Sequence, residues 1–209
     1  TEENLRQLAA KLTEKSLFYG HPIYIVSDEP YRELVYEGVK APFIPLLYPD
    51  TVVCYSYSKS LSLPGERIGY IYVPRQATDG AQFYAAVCGA ARSLGHVCAP
   101  SLWQKVIARC AHLRPDLAAY DKNRRALYEG LVAAGYEVIK PDGAFYLFVK
   151  APNGDANAFS QMAKEKDVLV VPGDGFGCPG WFRLCYCVSY EKIIGSLPLF
   201  RQLMEEIEK

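Results

Sequence analysis

At 209 residues, half of them hydrophobic and 22% charged, the chain is long enough for one large domain or two small ones, and its composition excludes a disordered segment. Lysine plus arginine equals aspartate plus glutamate at 23 each, so no global field draws the chain to nucleic acid or to an anionic membrane. No apolar run approaches the roughly 18 residues of a membrane span, and the opening TEENLRQLAA is too polar for a signal peptide. Seven cysteines without a CxxC pair read as reduced thiols of a cytoplasmic protein, not as a disulfide framework. Cys185 and Cys187 could share one strand face, but two thiols and three scattered histidines do not make a metal site.

In chain order, residues 1–18 read as an amphipathic helix. Thr1 can cap it, Glu2 and Glu3 suit its first turn, and Leu5, Leu8 and Leu12 recur at helical spacing. IYIVSDE (23–29) is an apolar run that ends in acids, the pattern of a buried strand whose C-terminal end meets a site. TVVCYSYS (51–58) and RIGYIYVP (67–74) are two further strands. Residues 77–93 and 101–112 are helical in pattern, and a long helix is expected from Pro115 to about Gly130, with Asp116 favouring its dipole. Four strand-like runs follow, YEVIK, GAFYLFVKA, DVLVVPG and WFRLCYCVS, with a short helix at 156–166 and a last one at 190–208. Strand–helix alternation in the first part implies α/β architecture with a mainly parallel sheet, and the second part an α+β unit. The expected division is 1–112 and 113–209.

Three stretches are candidates for chemistry. SDEPY (27–31) ends a strand in Asp-Glu, as in a nucleotide triphosphatase, but that reading needs a GxxxxGK[ST] loop and the chain has none. YSYSKSLSLPGER (55–67) sets Lys59 among alternating serines with Arg67 eight residues on. Hydroxyls and a guanidinium bind phosphate, a neighbouring amine can form a Schiff base, and an aspartate can keep a pyridinium nitrogen protonated. One cofactor needs all of these, pyridoxal 5'-phosphate. WFRLCYCVS (181–189) places Arg183 in an apolar alternating strand, where it needs an anionic partner from protein or ligand. PGDGFG (172–177) is glycine-rich but precedes a strand, not the helix a dinucleotide loop must open, and reads as a turn.

Together, and in this order, these stretches resemble the fold-type I pyridoxal-phosphate enzymes, specifically the class I/II aminotransferases of the aspartate aminotransferase kind. IYIVSDEPY resembles the family's strand whose aspartate, here Asp28, meets the pyridine nitrogen and whose tyrosine, here Tyr31, bonds the ring oxygen. SYSKSLSLPGERIGY resembles the signature S-x-S-K-x(7)-R-x-G-Y. Its lysine, Lys59, forms the internal aldimine, and Ser56, Ser58 and Arg67 surround the phosphate. PDGAFYLFV resembles the start of the small domain, and FRLCYCVS the late strand whose arginine, Arg183, takes the substrate α-carboxylate. The resemblance covers essentially the whole chain. It implies part of the large domain (1–112) and the small domain (113–209) of an enzyme that transfers an amino group between an amino acid and a 2-oxo acid. The family's Asn-Pro-x-Gly turn, stacking aromatic and glycine-rich phosphate loop precede the helix that opens this chain, so the chain resembles the C-terminal portion of a homodimeric enzyme. The same lysine would serve β-elimination or decarboxylation, and a non-catalytic fragment that keeps only the fold is the reading from a different class.

Overall fold

The computed structural model describes residues 1–207. The chain forms two compact units, one from residues 1–33 and 40–115, the other from residues 34–39 together with the chain from Asp116 onward. Among the described residues no helix is long and apolar enough to cross a membrane.

The first unit opens with α1 (Glu2–Tyr19), started by Thr1, whose hydroxyl accepts from the Asn4 N–H at 3.3 Å. It is stopped by Gly20 in the left-handed region (φ 71°), whose N–H returns to the Ser16 carbonyl. The sheet is β1 (Ile25–Asp28), β2 (Thr51–Ser56) and β3 (Gly69–Tyr72) in that spatial order. β1 and β2 run parallel and β2 and β3 antiparallel, so the sheet is mixed, with one parallel and one antiparallel pairing among the described strands. β2 is its buried centre: Thr51, Val52, Val53 and Tyr55 are all enclosed, and the Thr51 hydroxyl donates to the Tyr48 carbonyl at 2.6 Å. Helices α3 (Gly80–Ser93) and α4 (Ser101–Cys110) complete the unit.

Strand β2 stops two residues short of the expected 58. Residues Tyr57–Ser60 instead form a single helical turn, α2. The Tyr57 N–H still reaches the Ile68 carbonyl at 3.1 Å, but the Leu61 and Leu63 N–H groups both turn back to the Tyr57 carbonyl at 3.3 Å. The Ser60 hydroxyl is drawn inward to that of Tyr55 at 2.7 Å. The alternation of serines imitates a strand, whereas the backbone follows the tether at Ser60.

The second unit is a four-stranded antiparallel sheet in the order β4 (Val138–Ile139), β5 (Tyr146–Lys150), β7 (Trp181–Cys185), β6 (Val171–Pro172). α5 (Leu117–Ala133), capped by the Asp116 carboxylate, packs on α7 (Tyr190–Ile207), and α6 (Ala156–Lys164) lies against β6 and β7. Alternation does the sorting: Leu147 and Val149 of β5 and Phe182 and Leu184 of β7 point inward to Leu131, Phe159, Phe200 and Leu203. Phe159 and Phe182 stack with ring centroids 4.6 Å apart. Position 208 of the last expected helix lies outside the described residues.

Residues 34–39 bind to this unit as a strap. Leu34 and Tyr36 are buried, Val35 bridges Gly143, and the Tyr36 hydroxyl donates to the Ala144 carbonyl at 2.5 Å. Next to it Arg124, only 1% exposed, reaches Glu37 and Asp121 at 2.7 Å each and lies over the Tyr36 ring. Hydrogen bonds from Lys140 and from Arg124 push the Glu37 carboxyl down from 4.5 to about 2, against an opposing effect of burial. A carboxylate whose folded-state pKa is depressed adds stability that is present above its unfolded value and lost as pH falls toward the folded one.

Two outcomes are expected. Stability against denaturant should fall as pH drops from about 4.5 toward 2, and Glu37→Gln should flatten that part of the profile; superimposable wild-type and variant profiles would show that Glu37 carries none of it. Gly69 faces the Tyr55 carbonyl so closely that an added Cβ would sit 2.2 Å from the oxygen. Gly69→Ala should therefore cost about 1–3 kcal/mol by forcing β3 away from β2, read as a lowered unfolding midpoint; an unchanged midpoint would mean that β3 has room to move.

Candidate active site

In the first unit the pairing of the strands brings the acidic end of β1 to the serine end of β2. Asp28 is in register with Cys54, and Ser56 with Gly69, so Asp28, Cys54 and Ser56 share one face of the sheet. The ladder extends one step further, with the Glu29 N–H donating to the Cys54 carbonyl at 2.8 Å. Asp28 and Ser56 line one cavity of about 560 Å³, a size that suits a small cofactor. Asp28 is exposed to it, in contrast to the buried position that an apolar strand suggests. Its proximity is felt by Cys54, whose thiol is pushed up by burial first and by the Asp28 charge second.

The neighbouring acid behaves differently. Glu29 accepts from the Ser27 hydroxyl at 2.8 Å and from Arg32 Nε at 2.5 Å, and Arg32 extends its other nitrogens to the carbonyls of Ala41 and Pro42. The Asp-Glu pair is thus divided: Glu29 ties the following loop down, and Asp28 has no hydrogen-bond or ion-pair partner among the described residues.

The serines divide in the same way. Ser60 is buried against Tyr55. Ser62 is exposed, with a left-handed backbone (φ 55°). Ser56 and Ser58 are half-buried and make no side-chain hydrogen bond among the described residues. Lys59, in α2, places its Nζ 5.7 Å from the centre of the Tyr31 ring, so the turn after β1 and the turn after β2 meet at these two side chains. Arg67 enters β3 with a left-handed backbone (φ 52°) and donates one hydrogen bond, from Nη1 to the Pro64 carbonyl at 2.8 Å, leaving its other donors exposed. Tyr31, Ser58, Lys59 and Arg67 lie outside the wall of the cavity that Asp28 and Ser56 share.

The opposite wall of that cavity comes from Tyr84, Val87, Cys88 and Ala91 on α3, with Arg92 and His96 at its end. Sequence reasoning did not single these out. They sit on a helix of small residues without a motif, and only the packing of that helix brings them to the sheet.

In the second unit Arg183 lies on the outer face of β7, opposite Phe148 of β5. Its guanidinium carbon is 4.6 Å from the ring centres of both Tyr146 and Phe176. Stacking on ring faces holds the planar group while leaving its edge donors available. No carboxylate among the described residues pairs with it. The glycine-rich turn of the sequence supplies Phe176, from the short 3₁₀ helix Gly173–Phe176. Gly173 is required there, since a Cβ would lie 2.4 Å from the Cys178 carbonyl oxygen and 2.6 Å from that of Trp181.

Of the candidate residues in the first unit, Asp28, Ser56 and Ser58 make no side-chain hydrogen bond or ion pair among the described residues and Arg67 keeps donors beyond its bond to Pro64; in the second unit Arg183 is held by ring faces. This donor set fits pyridoxal phosphate: Asp28 suits a protonated ring nitrogen, and Ser56, Ser58 and Arg67 suit a phosphate.

Comparison with known proteins shows the family. Residues 2–194 match the family model of aminotransferase class I and II. The chain is 29% identical to an aromatic-amino-acid aminotransferase of Thermococcus litoralis, over 99% of this chain and 54% of that protein. It is 31% identical to an aspartate aminotransferase of Geobacillus stearothermophilus, over 89% of this chain and 50% of that one. The crystal structure of an amino transferase from Eubacterium rectale superposes with a TM-score of 0.97 at 56% identity, covering 100% of this chain and 52% of the other. The chain spans about half the length of the relatives it matches. With its α/β fold and this match over most of its length, the chain belongs to the class I and II aminotransferase family.

Proposed function

We propose that this chain carries the cofactor-binding and carboxylate-binding residues of a pyridoxal 5'-phosphate-dependent aminotransferase that moves an amino group between an amino acid and a 2-oxo acid. The observation that carries the reading is the division of polar side chains between β1 and β3. Glu29, Arg32 and Ser60 are engaged within the protein, whereas Asp28, Ser56, Ser58 and most donors of Arg67 are directed to no protein partner. When bound, the cofactor supplies an electron sink for the carbanion at the substrate's α-carbon.

The chain's own residues do the rest. Asp28 holds the proton on the ring nitrogen, because an adjacent carboxylate favours the cationic form. Tyr31 donates to the ring oxygen. Ser56, Ser58 and Arg67 fix the phosphate by charge-assisted hydrogen bonds and so set the orientation of the reacting bond. Lys59 would hold the cofactor through its amine, and its Nζ would serve as the general base that takes the proton from the substrate's α-carbon and as the general acid that gives it back. Arg183 receives the α-carboxylate with its two edge donors, its plane already fixed by Tyr146 and Phe176. Residues 1–112 then act as the cofactor-binding part and 113–209 as the long connecting helix and small domain. The family resemblance also makes the assembled enzyme a homodimer, and seven cysteines with none in a disulfide fit a cytoplasmic setting.

Reduction with borohydride after addition of pyridoxal phosphate should label the peptide that contains Lys59; labelling at another lysine instead would remove Lys59 from the role. In an active enzyme that contains this chain, Arg183→Lys should raise KM for the amino acid by roughly 10–100-fold, as expected for loss of a charge-assisted hydrogen bond when a fork becomes a point charge. An unchanged KM would place the carboxylate elsewhere.

A further inference from the structure

Two thiols are held together on the strand that carries Arg183. Cys185 closes β7, Cys187 follows two residues later, and both are exposed. Their sulfurs are 3.1 Å apart, about 1 Å beyond the roughly 2.05 Å of a covalent bond. The residue between them explains the arrangement. Tyr186 is fully buried, its hydroxyl donates to the Ala144 carbonyl at 3.0 Å, and its N–H donates to the Phe145 carbonyl at 3.0 Å. Asn123 of α5, itself buried, donates from Nδ2 to the carbonyls of Tyr186 at 3.0 Å and Val188 at 2.7 Å. Burying Tyr186 turns both of its neighbours to the opposite side, and the Asn123 clamp fixes the backbone on which they sit. The entropy of bringing two thiols together is thereby met by the fold. Among the described residues no third histidine, cysteine or acid joins them in a metal-binding group.

We propose that Cys185 and Cys187 are a reversible dithiol–disulfide site closed by hydrogen peroxide. One thiol, as thiolate, attacks a peroxide oxygen; the O–O bond breaks, and the departing hydroxide takes a proton to become water. The resulting sulfenic acid is attacked by the second thiolate; the S–S bond forms, the S–O bond breaks, and a second water leaves. Two thiols are oxidised by two electrons and one hydrogen peroxide is reduced. An external thiol reverses the step by exchange. Closure draws the chain together two residues past Arg183, on the same strand face; its effect on carboxylate binding rests on the role proposed for Arg183 above.

The test reads the covalent change and not activity, so its result is separate from that of the aminotransferase reading. The folded chain is treated with limiting hydrogen peroxide, quenched with iodoacetamide and cut with trypsin. The peptide 184–192, LCYCVSYEK, contains both thiols and no other cysteine. It should lose two hydrogens and both alkylation sites, and dithiothreitol should restore the two sites, while Cys54, Cys88, Cys98, Cys110 and Cys178 stay alkylated. The same treatment in guanidinium should give several-fold less of the closed peptide. Cys187→Ser should abolish the loss of two hydrogens. Retention of both alkylation sites, a sulfinate or sulfonate on one cysteine, or a cross-link to another peptide would each overturn the proposal, and an equal yield in guanidinium would overturn the part assigned to the fold.

Discussion

The carbonyl oxygen of Tyr55 lies where a side chain on residue 69 would have to begin, and this contact decides how β2 and β3 can pair. With glycine there, Ser56 sits opposite Gly69 and β2 can end at that rung. The chain then turns through α2, tethered by Ser60 to Tyr55, and that turn carries Lys59 to Tyr31. A one-residue slip in register would move every side chain of β3 to the other face. The rung that places Ser56 follows from this close backbone contact, and the turn that carries Lys59 from the tether of Ser60 to Tyr55.

Two arginines in the second unit show how environment sets the role of a residue type. Arg124 is enclosed and satisfied, with two carboxylates, the Pro141 carbonyl and the Tyr36 ring around it. Removing one member of such a buried set leaves an uncompensated charge, so its value lies in holding the 34–39 strap in place. Arg183 is half-buried between two aromatic rings with no carboxylate of its own. Rings hold a guanidinium by its faces and leave its edge open, which is the arrangement a ligand carboxylate requires.

The same division runs through the first unit. Adjacent acids, Asp28 and Glu29, differ in whether a cation of the protein reaches them, and Arg32 reaches only Glu29. Four serines in alternation look equivalent along the sequence, yet one is turned inward, one is held at a strained exposed turn, and two are left with their hydroxyls unengaged. The groups whose local partners are missing retain hydrogen-bonding capacity for a ligand, and the proposed function rests on them.

Much was legible from residue order alone. Helical spacing with Thr1 at its start, acids at the end of an apolar run, and the serine–lysine–arginine stretch identified α1, β1 and the candidate cofactor residues, because these signals lie within a few residues of one another. The strand that carries Arg183 was legible too, but its alternation suggested a buried arginine with an anionic partner, whereas Arg183 is half-buried and stacked between two rings. Three things required the tertiary structure. The end of β2 at Ser56 was set by a hydrogen bond to Tyr55, the α3 wall of the cavity by packing of a helix without a motif, and the meeting of Cys185 with Cys187 by burial of the tyrosine between them. The sequence by itself determined the kinds of groups available and their order along the chain. Which of them are engaged and which are free was decided by contacts between distant residues, whose energies depend on burial and register that no local pattern encodes.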